Sequence, residues 1–178
     1  MHIWTIGHSN RTLEQFTELL TANQIQLLAD VRRFPGSRRL PYFNQENLSP
    51  SLAEIGIGYV HFAELGGRRK AMPNSPNNIW RNEAFRGYAD FMMTPEFRAG
   101  IDRLLKLADE KRTAVMCSEA LWWQCHRSLI ADYLKASGHT VIHILGPNKT
   151  EEHPFTSAAR MVNGKLSYAA EGEPQFLF

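Results

Sequence analysis

The sequence predicts a single α/β domain, a three-layer sandwich in which a mainly parallel five-stranded sheet carries helices on both faces, with a small β-hairpin near the C-terminus. Two observations predict it. Short apolar runs alternate along the chain with stretches whose apolar residues recur at helical spacing, which is the signature of successive strand–helix–strand units. And 178 residues fit one domain, long enough to hide roughly 70% of the unfolded surface.

The first run is Ile3 to Gly7. A helix follows with Leu13, Phe16, Leu19 and Leu20 on one face; the capping-box pair Thr12 and Gln15 opens it, and it closes near Asn23. Ile25 to Val31 is the second run, and Ser49-Pro50 then reads as the cap and first residue of a short helix that Gly56 stops. Tyr59 to Phe62 makes a third strand. Two helices come next, with faces Phe85, Tyr88, Ala89, Met92 and Phe97, Ile101, Leu104, Leu105, the second opened by Thr94-Pro95. Thr113 to Cys117 is the fourth strand, the helix carrying Leu129, Ile130, Tyr133 and Leu134 ends by Gly138, and Thr140 to Leu145 is the fifth strand. Asn163-Gly164 favours a tight hairpin turn within residues 160–168.

Composition excludes several classes. With 43% hydrophobic and 11% aromatic residues the chain is neither collagenous nor disordered, and a formal charge of +2 is too small for non-specific coating of nucleic acid. Only Cys117 and Cys125 are cysteines, the N-terminal residues do not read as a signal peptide, and no apolar stretch approaches the ~18 residues that span a bilayer. The expectation is a cytoplasmic protein with no membrane partner; the sequence points to no particular protein partner.

In open parallel sheets ligands bind at the carboxyl ends of the strands. Those ends are expected to deliver His8-Ser9-Asn10, then Asp30-Val31-Arg32-Arg33 with the loop to Arg39, then Glu64-Leu65-Gly66-Gly67-Arg68, and finally Cys117-Ser118-Glu119. Arg32, Arg33, Arg38, Arg39, Arg68, Arg69 and Lys70 crowd two short acid-free loops, 31–41 and 66–70, where even spreading would put about two cations. A guanidinium fork fits phosphate oxygens, and Gly66-Gly67 lets backbone N–H groups approach an anion. The alternative is a solvated face with Arg32 or Arg33 paired to Asp30 or Glu64. Residues 68–82, with Pro73, Pro76 and four asparagines, suggest a lid or binding loop.

The segment from Cys117 to Arg127 is chemically dense. A cysteine-phosphatase loop needs Cys and Arg with five residues between, and position 123 is Trp, so that template fails. Cys125 and His126 precede Leu129 and Ile130 on the core-facing stripe, so a buried structural thiol is preferred for Cys125, and Cys117, Cys125 and His126 make a poor zinc set. Glu119, His126 and Arg127 can supply an acid/base and an anion clamp, or else an internal salt bridge. Trp122 and Trp123 are expected in the core rather than stacked on a base.

Six motifs together resemble the family called domain of unknown function 488: Thr5-Ile6-Gly7-His8-Ser9-Asn10, Asp30-Val31-Arg32 with Pro35 and Ser37-Arg38, Gly56-Ile57 with Tyr59, Leu65-Gly66-Gly67-Arg68, Cys117-Ser118-Glu119 and Cys125-His126-Arg127. The resemblance covers roughly residues 3–145, leaving a hairpin and tail at 146–178, and implies a fold and a shared site but no reaction. Trp122 and Gln124 stand where members often carry Pro and a basic residue.

The leading expectation is an enzyme acting on a phosphate-bearing substrate, a nucleotide or nucleic acid, by acid/base hydrolysis of a phosphoester or glycosidic bond. His8, Glu119, His126 and Cys117 are the candidate catalytic residues; Ser9, Asn10, Asp30, Arg32, Arg38, Arg39, Gly66, Gly67, Arg68 and Arg127 are the candidate binding residues. No cofactor is implied and a divalent metal stays open. The competing readings are a non-catalytic nucleic-acid-binding or regulatory module using the same arginines, and a thiol enzyme built on Cys117 or Cys125.

Overall fold

The computed structural model describes residues 1–170; residues 171–178 of the expected C-terminal tail lie outside the described residues. The elements run β1 (His2–Gly7), α1 (Leu13–Ala22), β2 (Leu27–Asp30), α2 (Gln45–Glu54), β3 (Gly58–His61), α3 (Glu83–Met92), α4 (Pro95–Glu110), β4 (Thr113–Cys117), α5 (Arg127–Ala136), β5 (Thr140–Gly146), β6 (Lys149–Glu152), β7 (Arg160–Val162) and β8 (Lys165–Ser167). One sheet has the order β3-β2-β4-β1-β5-β6, parallel except for β6, and β7–β8 form a separate antiparallel hairpin.

Two cores cover the two faces. Phe16, Leu19 and Leu20 of α1 and Leu48 and Leu52 of α2 pack with Trp4, Ile6, Leu28 and Met116 on one side. Tyr88 of α3, Phe97 and Leu104 of α4, and Leu129 and Leu134 of α5 pack with Ile3, Ala29, Val115 and Val141 on the other. Strands β1, β2 and β4 are therefore buried on both faces, which is why they read as continuous apolar runs.

The sheet has six strands, not five. The sixth, Lys149-Thr150-Glu151-Glu152, is exposed at every position and so has no apolar period to read. It turns back from β5 through Pro147 and Asn148, the latter at φ 54°, and pairs antiparallel along the edge. Its charges suit an edge strand, because they discourage pairing with a second chain. Helix α2 also starts earlier than Ser49-Pro50 predicts: Asn44 is its cap and Pro50 lies inside it. Burial of Leu48 and Leu52, one turn apart, holds the segment helical despite the missing Pro50 donor.

The stretch 68–82 is not a loose lid. Asp90 of α3 accepts hydrogen bonds from Met72 N at 2.8 Å, from Asn77 Nδ2 at 2.8 Å and from the Ser75 hydroxyl, which pins the stretch to the helix. A buried chain of hydrogen bonds ties the C-terminal segment to the sheet. The Asp132 carboxylate accepts from His153 Nε2 at 2.9 Å, from the Thr156 backbone N–H and hydroxyl, and from the Tyr168 hydroxyl. With Nε2–H committed to Asp132, His153 Nδ1 accepts from His143 Nε2 at 2.9 Å, and His143 Nδ1 in turn accepts from the Thr5 hydroxyl at 2.6 Å. The face of Trp122 stacks on His143 at 4.7 Å. Among the described residues no helix is long and apolar enough to cross a membrane.

Candidate functional site

The connections that follow β1 and β2 pack their helices on one face, while those that follow β3 and β4 use the other. Loops leaving neighbouring carboxyl ends thus part, and a cleft of about 320 Å³ opens there. The loop after β2 lines it with Arg32, Arg33 and Phe34, and the loop after β3 with Gly67 and Arg68. The loop after β4 contributes Cys117, Ser118, Glu119, Gln124, Cys125 and His126, and the start of α3 adds Asn82, Ala84 and Phe85. Two backbone features shape these walls. A Cβ at Gly7 would lie 1.7 Å from the Glu119 carbonyl oxygen, so only glycine lets the β4 loop cross β1. A Cβ at Gly67 would lie 2.8 Å from His126 Nδ1, so Gly67 serves close packing against that ring.

Beneath the β2 wall sits an ion pair. Asp30 is fully buried and holds Arg32 through Nε at 2.9 Å and Nη2 at 2.6 Å. Tyr59 donates its hydroxyl to the same carboxylate at 2.6 Å, and Arg32 Nη2 also donates to the Phe43 carbonyl at 2.8 Å. Burial disfavours the Arg32 cation, but Asp30 outweighs it and leaves the guanidinium above its ordinary value. Burial, then the Asp30 charge, push the Tyr59 hydroxyl up as well, so it stays a donor. The structural alternative is therefore realised for Arg32, whereas Glu64 pairs with Arg103.

His8 is not among the residues that line the cleft. Its ring stacks on Phe43 at 4.3 Å, its Nδ1–H donates to the Ser9 carbonyl at 2.8 Å, and Arg32 Nη1 lies 3.4 Å from its Nε2. Burial foremost, with the Arg32 charge, lowers its pKa to about 4, so the ring is neutral at pH 7. Ser9, at φ 52°, and Asn10 stay with it outside the cleft lining, and Arg38 and Arg39 project into solvent elsewhere. Asp30 is consumed by Arg32 and Tyr59. The structure therefore places these residues, with His8, outside the lining of the cleft that gathers the other candidates.

Arg127 is not a surface clamp either. It is 1% exposed, lies under the β4 loop, and donates from Nη2 to the carbonyls of Glu119 at 3.2 Å and Ala120 at 3.3 Å. Its reach into the core follows from its position at the start of α5, whose inner face is buried. His126 beside it donates Nε2–H to the Val31 carbonyl at 3.1 Å, and its Nδ1 lies 3.4 Å from Cys125 Sγ. Burial holds the His126 pKa down to about 4. Both cysteines are free and buried, with Cys117 at the floor of the cleft. Trp122 is buried but Trp123 is half exposed, against the expectation that both fill the core.

Of the candidate catalytic and binding residues, the cleft gathers Arg32, Gly67, Arg68, Cys117, Glu119 and His126, and Arg33, Ser118 and Cys125 line it with them. Gly66 is buried behind it, packed against the Arg33 backbone. The sequence reading missed Phe34 and Phe85. Phe34 is 67% exposed, and the readable signal was an aromatic residue between two arginine-rich segments with no place in any apolar period. Among the described residues no group of three or more His, Cys, Asp or Glu side chains is arranged to hold a metal ion.

The family model described as domain of unknown function DUF488 matches residues 12–134 of the 178. The chain belongs to the DUF488 family. The match takes in the β2, β3 and β4 loops that line the cleft, so the DUF488 region carries its arginines, Glu119 and both cysteines. The β6 edge and the hairpin lie beyond it. No curated protein and no solved structure is matched by this DUF488 chain.

Proposed function

We propose that the protein is a hydrolase that binds a phosphate-bearing substrate, a nucleotide or a nucleic-acid strand, in the cleft at the carboxyl ends of β2, β3 and β4. The observation that carries the reading is the charge of the lining: Arg32, Arg33 and Arg68 against the single carboxylate of Glu119. Arg33 and Arg68 enter no ion pair among the described residues, so their donors are free for an anion. Arg68 also sits at φ 59°, a left-handed backbone that an arginine adopts at a cost, which fits a residue held for contact with a ligand. Phe34 and Phe85 on the walls offer faces on which a base can stack.

In this reading Glu119, exposed at the cleft lip, takes a proton from a water, whose oxygen attacks the scissile centre. The resulting carboxylic acid returns that proton to the departing oxygen. Arg33 and Arg68 hold the phosphate, Arg32 is positioned by Asp30, and His8 has no part in the proton transfer. The test is a panel of nucleoside monophosphates and short single-stranded oligonucleotides, followed by titration and by product analysis. Glu119→Gln should lower turnover by about 100-fold with binding retained. Binding without turnover in the wild type would leave a non-catalytic module, and equal, weak binding by wild type and Arg68→Ala would refute the reading altogether.

A further inference from the structure

The floor of the cleft holds a second chemistry that the substrate reading does not use. Cys117 ends β4, the loop 118–124 folds back through a 3₁₀ turn at Trp122–Gln124, and Cys125 returns to the same cavity. Both thiols line this one cavity and belong to the same buried cluster, and Cys117 Sγ donates at 3.7 Å to the Glu119 carbonyl that Arg127 Nη2 also contacts. The Arg127 guanidinium beside them is always charged, yet it pairs with no carboxylate among the described residues, and its Nε and Nη1 are buried without any hydrogen-bond partner. A buried cation without an anion is strongly disfavoured, and Cys117 is the adjacent buried group that can supply negative charge. Although burial opposes the anion, the Cys125 hydrogen bond and the Arg127 charge bring the Cys117 thiol below its ordinary value, while burial pushes Cys125 up.

His126 completes the arrangement. Its Nε2 faces the Val31 carbonyl, which can only accept, so Nε2 carries the proton and Nδ1, 3.4 Å from Cys125 Sγ, presents a lone pair. The Cys125 S–H thus has a neutral imidazole as an acceptor in reach.

We propose that Cys117 and Cys125 form a dithiol switch in the floor of the cleft, with Cys117 as the thiolate that attacks a hydroperoxide and Cys125 as the thiol that resolves it. In the first step the Cys117 sulfur attacks a peroxide oxygen, an S–O bond forms as the O–O bond breaks, and hydroxide or alkoxide leaves. Cys117 is oxidised to the sulfenic acid and the peroxide is reduced. In the second, His126 Nδ1 takes the Cys125 proton, the Cys125 sulfur attacks Cys117, and the hydroxyl leaves as water with that proton. The product is a disulfide that changes the floor of the cleft without involving Arg33 or Arg68. This inference does not rest on the substrate reading. Its competitor is a pair of inert thiols that fill the helix–sheet interface.

The probe is hydrogen peroxide on the reduced, full-length protein, small enough to reach thiols that are 1% and 7% exposed. Samples are quenched with a thiol-alkylating reagent under denaturing conditions and read by intact mass and peptide mapping. Wild type should lose about 2 Da and yield a Cys117–Cys125 cross-linked peptide that dithiothreitol reverses. Cys125→Ser should stop at a sulfenic acid on Cys117, about 16 Da heavier and trapped by dimedone, and Cys117→Ser should react at least ~10-fold more slowly than wild type. Three results would each overturn the proposal: no cross-link in folded wild type under conditions that oxidise the urea-unfolded chain, dimedone on Cys125 in place of Cys117, or wild-type rates in Cys117→Ser. The wild-type cross-link decides the matter on its own if either variant fails to fold.

Discussion

Lowering the pH from 7 to about 5 should cost this protein much of its stability, and the structure says through which groups. His8, His126 and His143 are buried with neutral rings. Burial is the largest cause for each, and their pKa values fall from 6.5 to about 4, about 4 and about 2. Arg32 adds to the effect at His8, Arg127 at His126, and His153 and Arg127 at His143. Each folded value lies below the unfolded one, so between roughly pH 6.5 and 4 the unfolded chain binds more protons and stability falls as pH falls. Above pH 7 these rings contribute no slope. One pH unit inside that window is about 1.4 kcal/mol per group, so at pH 5 each ring costs about 2 kcal/mol and the three together about 6 kcal/mol, an upper bound for groups that relax on charging. That is comparable with the whole stability of a typical domain, about 5–15 kcal/mol. Urea unfolding at closely spaced pH values measures it, and His8→Gln should remove about a third of the slope while leaving its sign. A stability that is flat between pH 7 and 5 would mean that burial does not hold these rings neutral in the folded protein.

Asp30→Asn removes the charge that compensates buried Arg32 and accepts the Tyr59 hydroxyl, and should cost about 3–5 kcal/mol in denaturant unfolding; a loss below ~1 kcal/mol would mean that Arg32 finds another anion or water. Arg68→Gly should move two readouts in opposite directions. Relief of the φ 59° backbone should raise stability by up to about 1 kcal/mol while nucleotide affinity falls, and unchanged affinity would remove Arg68 from the ligand contacts.

Much of the layering was legible because parallel strands buried on both faces must read as apolar runs. Thr113 to Cys117 is the fourth strand as the pattern predicts, and the Thr12–Gln15 capping box forms with both of its hydrogen bonds. Strand β6 was not legible, since an edge strand facing water has neither period nor apolar content. The start of α2 was misread because a local proline signal competes with the burial of Leu48 and Leu52 and loses. Within the site, arginine clustering located the cleft, but charge counting along the chain does not say which arginines converge. Arg32, Arg33 and Arg68 do, while Arg38 and Arg39 do not. Arg127, expected as an anion clamp or an internal salt bridge, is buried with no carboxylate partner among the described residues, and the Thr5–His143–His153–Asp132 chain joins residues too far apart in sequence for any spacing argument.

We propose above all that the cleft at the ends of β2, β3 and β4 takes a phosphate-bearing ligand. A crystal structure of the protein soaked with a nucleoside monophosphate tests it most directly. The phosphate is expected between the guanidinium groups of Arg33 and Arg68, the base against Phe34 or Phe85, and Glu119 at the edge of the scissile group. A nucleotide bound away from these residues, or a cleft left empty at saturating ligand, would contradict it.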